Sequence, residues 1–549
     1  MNRHSFVGKG AEKCDNYRPM LGYRMGCTLN GYALSLFRRC QMNNLDTIFL
    51  ASLTPERIKT EFNDLKTAKT DILSNEIKIA RGCDGVNHED FQNNIDEHAR
   101  TICEKGASMK YRFAPFRETK VPKPPYHTLK EAMTAGASIN KPDKFIRTLS
   151  ISTIQDTIFQ KLLSDVAMPH AEIVFARDID LHSFGYRKAK SSKMCVKKIR
   201  RLIDEGYLYV LDADISKFFD EIEHGLLTEK MIDFFGIENE FIQKFLYRFI
   251  HVDRLPPEML KDYKFPERAE KRVKGIPQGG VLSGLLANVF LYDFDIYVVK
   301  KLMPKFDFKY FRYADDFVLL FKSMDWIAEV HTLLEKRLCD EEKLTLHPIG
   351  EKSEILDLSE NGKDTLDFLG FEISPRFLRV KEDNFKKFRK RIIATLQSIE
   401  IESQDAYLSK IVPAISRRIV GLEDNIEHNG GLCPHCKKLI KKRSWIGYFM
   451  MVNDVRQLRN IDTMIRTEIY ADYYRRYKSH LRKKDLFHAT NDYLTSVESM
   501  YYKYKKQFRK YEKYGYCDGK LYRDEKTGQI KIIHPENQNL ENEIAQHQF

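Results

Sequence analysis

The chain has 549 residues, ten cysteines and a formal net charge of +13, with an isoelectric point of about 9.0. This length exceeds the size at which one hydrophobic core stops growing, so several subdomains are expected. The basic balance favours a polyanionic partner over an acidic substrate or a neutral protein surface. No apolar run approaches the roughly 18 residues of a membrane span. The cysteines lack a disulfide-like rhythm and the first residues lack a signal-peptide core, so we expect a cytoplasmic protein without membrane association.

Residues 1–75 form an N-terminal extension to which the sequence assigns no role. A helix is predicted to begin at Thr54-Pro55, because Thr is a favoured N-cap and Pro suits the first helical turn. In the segment that follows, stretches rich in β-branched and aromatic residues alternate with helical patterns. This alternation predicts an α+β domain over residues 76–375.

Two strand-like apolar segments of this domain carry carboxylates. Asp214 lies in residues 209–220, and the adjacent Asp315 and Asp316 lie in residues 311–321. Carboxylates in an apolar setting are costly without a counter-charge, and divalent metal is the favoured compensation. Where two such strands meet, their carboxylates converge on a pair of Mg²⁺ ions, or of Mn²⁺ ions in their place. In-line phosphoryl displacement uses this arrangement.

A turn with the sequence Gly-Ile-Pro-Gln-Gly-Gly at residues 275–280 lies between the two carboxylate segments. Glycines here permit a close approach of the backbone to a ligand, so Gln278 and Gly279 are expected to lie against a template–nucleotide pair. Together with the carboxylates, the turn predicts a templated nucleotidyl transferase.

The pattern becomes helical after residue 375. Apolar residues recur at three- and four-residue steps and leave the basic residues largely on the other face: Phe385, Phe388, Ile392, Leu396 and Ile399. Clusters of Lys and Arg occupy residues 386–391, 437–443 and 473–478, two of them with aromatic residues able to stack on bases. Residues 483–549 form a tail that begins basic and Tyr-rich and ends polar.

Cys433 and Cys436 have the spacing of a metal-ligand pair. A zinc site usually needs a second pair, and no second CxxC or HxxxH motif appears. We therefore expect no tightly bound zinc, although a site completed by the distant His428 or Cys517 stays open.

An ordered series of blocks resembles the reverse transcriptases of the group II intron type. The blocks occupy residues 81–86, 145–156, 183–187, 209–220, 275–283, 311–321, 351–353, 368–371, 444–449 and 461–466. The resemblance covers about residues 76–480. It implies an α+β right-hand polymerase, with fingers and palm built of an antiparallel sheet plus helices over residues 76–375. A helical thumb, similar to the maturase X region, follows over residues 376–482.

The resemblance also implies site residues. Asp214 and Asp315 are the primary metal ligands, Asp316 is the third carboxylate, and Ile215 offers its backbone carbonyl to the metal. Asp212 is expected to face the other side of the strand or to be solvated. The nucleotide-binding residues are Lys144, Arg147, Phe219, Gln278, Gly279 and Lys352. The nucleic-acid-binding residues are Arg187, Lys387, Arg391, Lys441 and Arg443.

Phe219 has a particular role in this resemblance, since a bulky ring beneath the sugar would clash with a ribose 2′-hydroxyl. Lys352 resembles a lysine proposed to help pyrophosphate leave, and a solvated lysine is an equal alternative. Gly284, Thr148 and Ser152 stand where the family usually has proline. These departures affect local rigidity and leave the acidic ligands intact.

Two biological roles follow from the resemblance. The favoured one is a free-standing enzyme that copies an associated structured noncoding RNA into cDNA from dNTPs in antiphage defence, since no endonuclease pattern follows the thumb. The alternative is an endonuclease-lacking intron maturase that binds and folds its intron RNA. A polymerase-like scaffold is disfavoured by the intact carboxylates. A protein partner or a second copy of the chain stays open.

Overall fold

The computed structural model describes residues 44–70, 76–123, 126, 128–134, 145–188, 190–256, 269–420, 444–492, 496–511, 520–523 and 530–533. Seven residues singled out in the sequence lie outside the described residues: Lys144, His428, Cys433, Cys436, Lys441, Arg443 and Cys517.

Helices open the described part of the chain: α1 (Leu45–Ser52), α2 (Pro55–Lys69), α3 (His88–Asn93) and α4 (Ile95–Ala107). The helix start predicted at Thr54 is confirmed. Its side chain accepts a hydrogen bond from the backbone amide of Arg57, and Pro55 takes the first helical position.

Helix α1 is part of the main hydrophobic core. Phe49 is fully buried, with its ring edge-on to Phe159 at 5.8 Å. The Asp46 carboxylate accepts hydrogen bonds from the backbone amides of Phe241 and Ile242. Residues 44–70 therefore belong to the same folded unit as the palm and fingers, and the predicted boundary at residue 75 is wrong for them.

The fingers and the start of the palm continue with β1 (Phe116–Pro122), α5 (Leu129–Thr134), β2 (Ile146–Ile151), α6 (Ile154–Asp178) and α7 (Ser192–Asp204). Strands β1 and β2 pair antiparallel, with Arg117 opposite Ile151 and Pro122 opposite Ile146. Helix α6 begins directly after this hairpin because Thr153 caps it, accepting a bond from the Asp156 amide.

The palm comprises β3 (Tyr209–Asp214), α8 (Phe218–Glu221), α9 (His224–Phe235), α10 (Glu240–Ile250), β4 (Arg254–Leu255), α11 (Ser283–Phe290), α12 (Tyr292–Tyr297), a π-helical turn (Val298–Leu302), α13 (Met303–Phe306), β5 (Phe308–Tyr313), β6 (Asp316–Phe321), α14 (Ile327–Asp340) and β7 (Glu354–Asp357). Its antiparallel sheet has the order β5-β6-β3-β7. Strand β4 pairs parallel to β1 and completes the fingers sheet β2-β1-β4.

Both faces of the palm sheet are buried. Leu211 and Ala213 of β3 pack into the core shared with the fingers, whereas Val210 and Val318 pack into a second core shared with the thumb. Because each face of the sheet packs against a different core, the sequences of these strands are nearly continuous apolar runs. Asp212 and Asp214 have the same strand parity as Val210, so they belong to the thumb-side face.

The thumb follows: β8 (Leu366–Phe368), β9 (Phe371–Ile373), β10 (Leu378–Val380), α15 (Glu382–Ser398), α16 (Tyr407–Val420), α17 (Trp445–Tyr448), α18 (Val455–Tyr477), α19 (Lys483–Asp492) and α20 (Val497–Tyr511), then the hairpin of β11 (Lys520–Arg523) and β12 (Ile530–Ile533). The predicted apolar face of α15 is confirmed, with Phe388, Ile392 and Leu396 buried. The α+β architecture followed by a helical region is therefore as predicted.

The first part of the predicted C-terminal tail is folded into the thumb. Leu486, Val497 and Tyr501 are buried in the thumb core, and the Asp462 carboxylate accepts a hydrogen bond from the Val497 amide at 2.7 Å. The thumb boundary predicted at residue 482 is therefore wrong, because apolar side chains of α19 and α20 complete this core.

Within the described ranges, no helix has both the length and the apolar character needed to cross a bilayer.

Candidate active site

Three carboxylates converge where β3 ends and β6 begins. Asp214 is the last residue of β3 and lies directly opposite Asp316, the first residue of β6. Asp315 occupies the turn before β6, after Ala314, whose φ of 63° places it in the left-handed region. One oxygen from each of the three carboxylates lies within 4.8 Å of the others. The structure thus brings together the three residues predicted to hold metal.

The carboxylates disfavour one another's charge. Loss of surrounding water, followed by the charges of Asp315 and Asp214, raises the pKa of Asp316 to about 7. Burial, with the charge of Asp214, also raises the pKa of Asp315. Oxygen donors that concentrate negative charge in this way fit a hard divalent cation such as Mg²⁺ or Mn²⁺, which would offset the repulsion.

A lysine and a histidine lie beside the Asp214 carboxylate. The Lys352 Nζ donates a hydrogen bond to Asp214 Oδ2 at 2.9 Å, and His347 Nε2 lies 3.7 Å from the same oxygen. His347 was not predicted from the sequence. It reaches the site because the Ile215 backbone bridges to Leu346, and the His347 amide donates to the Asp214 carbonyl at 3.0 Å.

Lys123 is a second residue that the sequence analysis missed. Burial lowers the pKa of Lys123, and the charges of Lys352 and Arg147 lower it further, while Asp220 and Asp214 oppose this effect. The Lys123 amide donates to the Phe145 carbonyl at 2.7 Å, so Lys123 lies beside the strand that carries Arg147. Its only sequence signal is a basic residue directly after β1, which many surface strands share.

Asp212 departs from its predicted place. It is half-buried and lies opposite Glu354 of β7, on the same side of β3 as Asp214. Burial, followed by the charges of Glu354 and Asp214, raises the pKa of Asp212 to about 7. Asp212 is therefore neither on the opposite side of the strand nor fully solvated, since β7 covers it.

The glycine-rich turn contacts the fingers hairpin. The Ser150 amide donates to the Gln278 carbonyl at 2.7 Å. Gly279 has a φ of 118°, and a Cβ there would lie 2.8 Å from the Ser150 carbonyl oxygen, so only glycine fits without strain. Arg147 is exposed on the same strand, and its charge opposes the raised pKa of Asp315. The glycine-rich turn therefore packs against the strand that carries Arg147, and the predicted nucleotide contacts of these residues stay predictions.

Phe219 joins the glycine-rich turn to the catalytic strands. The Ile276 amide donates to the Phe219 carbonyl at 2.8 Å, and the Gln278 side-chain amide donates to Asp220 Oδ1 at 3.4 Å. The Phe219 ring is partly buried against the main core. Its two alternatives from the sequence, a ring at the sugar and a core aromatic, are both compatible with this position.

A buried polar network, which no sequence pattern indicated, lies beneath the Asp315 turn. Arg312 is fully buried and donates to both oxygens of the equally buried Asp295. It also donates to the Ala314 carbonyl at 2.9 Å and to Asn288 Oδ1 at 3.0 Å. Although burial opposes the guanidinium charge, Asp295 raises the pKa of Arg312. Arg312 thus ties the turn that carries Asp315 to helices α11 and α12.

The prediction that Arg187 binds nucleic acid is wrong in this structure. Its side chain is 1% exposed and forms an ion pair of 2.9 Å with Glu172. It also donates to the Ser183 carbonyl at 3.0 Å. Because these groups enclose the guanidinium, Arg187 stabilises the palm interior instead of meeting a phosphate.

The thumb residues Lys387 and Arg391 lie on α15, half-buried and exposed respectively. Phe388 and Ile392 of the same helix are buried in the thumb core. Lys387 and Arg391 are not part of this core, and their predicted contact with nucleic acid stays a prediction.

Comparison with known proteins agrees with this geometry. Residues 139–373 match the family described as "Reverse transcriptase (RNA-dependent DNA polymerase)". The chain contains a reverse transcriptase domain. Among curated relatives, Protein YkfC of Escherichia coli is 23% identical over 51% of this chain and 73% of its own length. The group II intron-encoded protein LtrA of Lactococcus lactis is 30% identical over 30% of this chain. The match spans only 25% of the length of LtrA.

Two solved telomerase structures are among those similar to the chain. Apo telomerase from Candida tropicalis is 12% identical with a TM-score of 0.39, covering 84% of this chain and 82% of that one. Telomerase from Candida albicans with a telomeric RNA fragment is 12% identical with a TM-score of 0.36, covering 74% and 66%.

Proposed function

We propose that the whole chain is an RNA-directed DNA polymerase that adds deoxynucleotides by two-metal nucleotidyl transfer. The observation that carries this proposal is the convergence of Asp214, Asp315 and Asp316 within a reverse transcriptase domain. Burial and the neighbouring carboxylates raise the pKa of Asp315 and Asp316, so bound divalent cations would offset a repulsion that the three side chains cannot relieve among themselves.

The side chains around the carboxylates have complementary roles in this proposal. Asp214, Asp315 and Asp316 would hold the metal pair, which when bound lowers the pKa of a primer 3′-hydroxyl and stabilises the charge on the triphosphate. Arg147 and Lys123 contribute positive charge for the triphosphate oxygens, as phosphate recognition requires. Phe219, Gln278 and Gly279 would shape the pocket of the sugar and the template–nucleotide pair.

Single-nucleotide addition to a DNA primer on an RNA template tests the proposed chemistry. We expect incorporation in Mg²⁺ or Mn²⁺ and its loss in Asp315→Ala and Asp316→Ala, with thermal unfolding unchanged. Asp233→Ala is the matched control, because Asp233 is an exposed carboxylate on α9 of the same palm. Full activity in either active-site variant would overturn the metal-site assignment.

We further propose that the template is a structured noncoding RNA that stays bound to the chain, and that the product is its cDNA. The basic face of α15 and the net charge of +13 support an RNA partner. Sequencing RNA and DNA crosslinked to active and Asp315→Ala protein tests this. We expect one predominant RNA, and DNA that maps to it only with the active enzyme. A random sample of the transcriptome would contradict the proposal.

The setting that we propose is antiphage defence, on the family resemblance alone. Plating of phage on cells with the active or the Asp315→Ala chain measures it. Protection that requires Asp315 is expected, and equal plating would exclude this role.

An intron maturase is the second candidate, because LtrA is named as a group II intron-encoded protein. The DNA beside the gene discriminates the two. Flanking intron RNA domains would favour the maturase, whereas a structured RNA gene in a defence cluster would favour the first proposal.

A further inference from the structure

Tyr186 adopts a backbone conformation that side chains other than glycine rarely take. Its φ is 55°, in the left-handed region, and an aromatic residue there is strained. Its side chain is nevertheless 47% exposed, so the strain is not repaid by burial in the core. Strained residues of this kind concentrate at functional sites.

The neighbouring Gly185 packs against the turn between β5 and β6, which carries Asp315. A Cβ at Gly185 would lie 2.3 Å from the Ala314 backbone nitrogen, so the two backbones are in direct contact. The Asn288 side-chain amide donates to the Gly185 carbonyl at 2.8 Å, while its oxygen accepts from Arg312. The position of Tyr186 is therefore coupled to the turn that carries Asp315.

The Tyr186 ring fills a space that a glycine leaves open. A Cβ at Gly284 would lie 2.5 Å from Cγ of this ring, so the ring rests directly on the start of α11. On another side, the ring stands edge-on to Phe219, with centroids 6.2 Å apart. Tyr186 thus lies between the Phe219 ring, the start of α11 and the β5–β6 turn that carries Asp315.

We propose that Tyr186 is a further specificity-determining residue, which supports the sugar edge of the nascent base pair beside Phe219. This inference rests on the proposed function. The exposed part of a rigidly held ring offers an apolar surface to deoxyribose and a hydroxyl donor to a base edge.

The test is steady-state single-nucleotide incorporation by Tyr186→Ala and Tyr186→Phe in the full chain. Loss of the ring should raise the KM for dNTP and the misincorporation frequency by about tenfold, with a smaller change in kcat. Tyr186→Phe keeps the ring and should retain most of the wild-type KM. Tyr247→Ala is the matched control, since Tyr247 is also 47% exposed but lies on α10.

Gly284→Ala provides an independent variant, because the added methyl must displace the Tyr186 ring. Gly284→Ala should reproduce the raised KM for dNTP and the raised misincorporation frequency. The thermal unfolding temperature of Tyr186→Ala should stay near that of the wild type. The inference about Tyr186 would be overturned if Tyr186→Ala kept the wild-type KM and fidelity. It would also be overturned if this variant lost only kcat, in proportion to lost stability, and in both cases the proposed function would stand. An inactive wild-type chain would overturn the proposed function and this inference together.

Discussion

Phe219 is the residue at which sugar choice can be tested most simply. Its ring packs edge-on to Phe218 at 5.4 Å and to Tyr186 at 6.2 Å, so its position is well defined. We expect Phe219→Ala to raise ribonucleotide use relative to deoxyribonucleotide use by about tenfold, because the cavity admits a 2′-hydroxyl. The ratio of the two kcat/KM values measures this. Phe219→Tyr should keep the wild-type ratio, and an unchanged ratio in Phe219→Ala would show that discrimination lies elsewhere.

Lys123 is expected to contribute to triphosphate binding. We predict that Lys123→Met raises the KM for dNTP several-fold, about 1 kcal/mol of lost interaction, because a positive charge near the triphosphate is removed. Lys336→Met is the control, since Lys336 is an exposed lysine on α14 of the palm. Equal KM values in both variants would exclude Lys123 from the nucleotide site.

Individual site residues could be predicted from the sequence where a charged side chain in an apolar segment would be unfavourable without a partner. Adjacent Asp315 and Asp316 in an apolar strand demand a counter-charge, so their partnership with Asp214 could be foreseen. The error at Arg187 has the opposite cause. Its partner Glu172 lies on α6, fifteen residues earlier, and no local pattern reveals that the two side chains meet in the palm interior.

Among the elements, the β5–β6 hairpin depends on a buried ion pair. Arg312→Met should lower the free energy of unfolding by about 3–5 kcal/mol, because Asp295 is left as an unpaired buried charge. Urea unfolding of the full chain measures this. The double variant Arg312→Met with Asp295→Leu should be less destabilised than the single variant, since no charge is left unpaired.

Arg201→Ala is the matched control for this prediction. Arg201 pairs with Glu205 on α7, where its side chain is 81% exposed, and exposed pairs of this kind contribute little. A loss at Arg312 no larger than that at Arg201 would show that the buried network does not hold the hairpin.

Helix α15 is the thumb element for which we predict nucleic-acid contact. Charge reversal at Lys387 and Arg391 should flatten the dependence of RNA affinity on salt, because each neutralised phosphate releases condensed counterions. Equilibrium binding across a salt series measures the slope. Lys336→Glu on α14 should leave it unchanged, and an unchanged slope in the α15 variant would count against a thumb-side groove.

The elements themselves were predictable where one local period dominates. The α15 pattern of Phe388, Ile392 and Leu396 is helical by spacing alone. The cap at Thr54 is a matter of adjacent residues. The order β5-β6-β3-β7 depends on contacts between strands distant in sequence, so the place of Asp212 opposite Glu354 could not be read from either strand.

For the whole molecule, the domain boundaries were the least predictable feature. The family resemblance covers about residues 76–480, whereas the hydrophobic cores begin by Leu45 and extend to Tyr504. A hydrophobic core ends where apolar surface is covered, and flanking helices outside the shared blocks supply that cover. Cys433 and Cys436 lie outside the described residues, so the expectation that they hold no tightly bound zinc stays a prediction.

We propose that this chain copies RNA into DNA at the Asp214, Asp315 and Asp316 site. Sequencing the DNA that the purified full chain makes from an RNA of defined, non-repetitive sequence tests this most directly. The structure predicts a product complementary to the RNA from the wild type and from Asp233→Ala, and none from Asp315→Ala. DNA unrelated to the template, or a complementary product from Asp315→Ala, would contradict it.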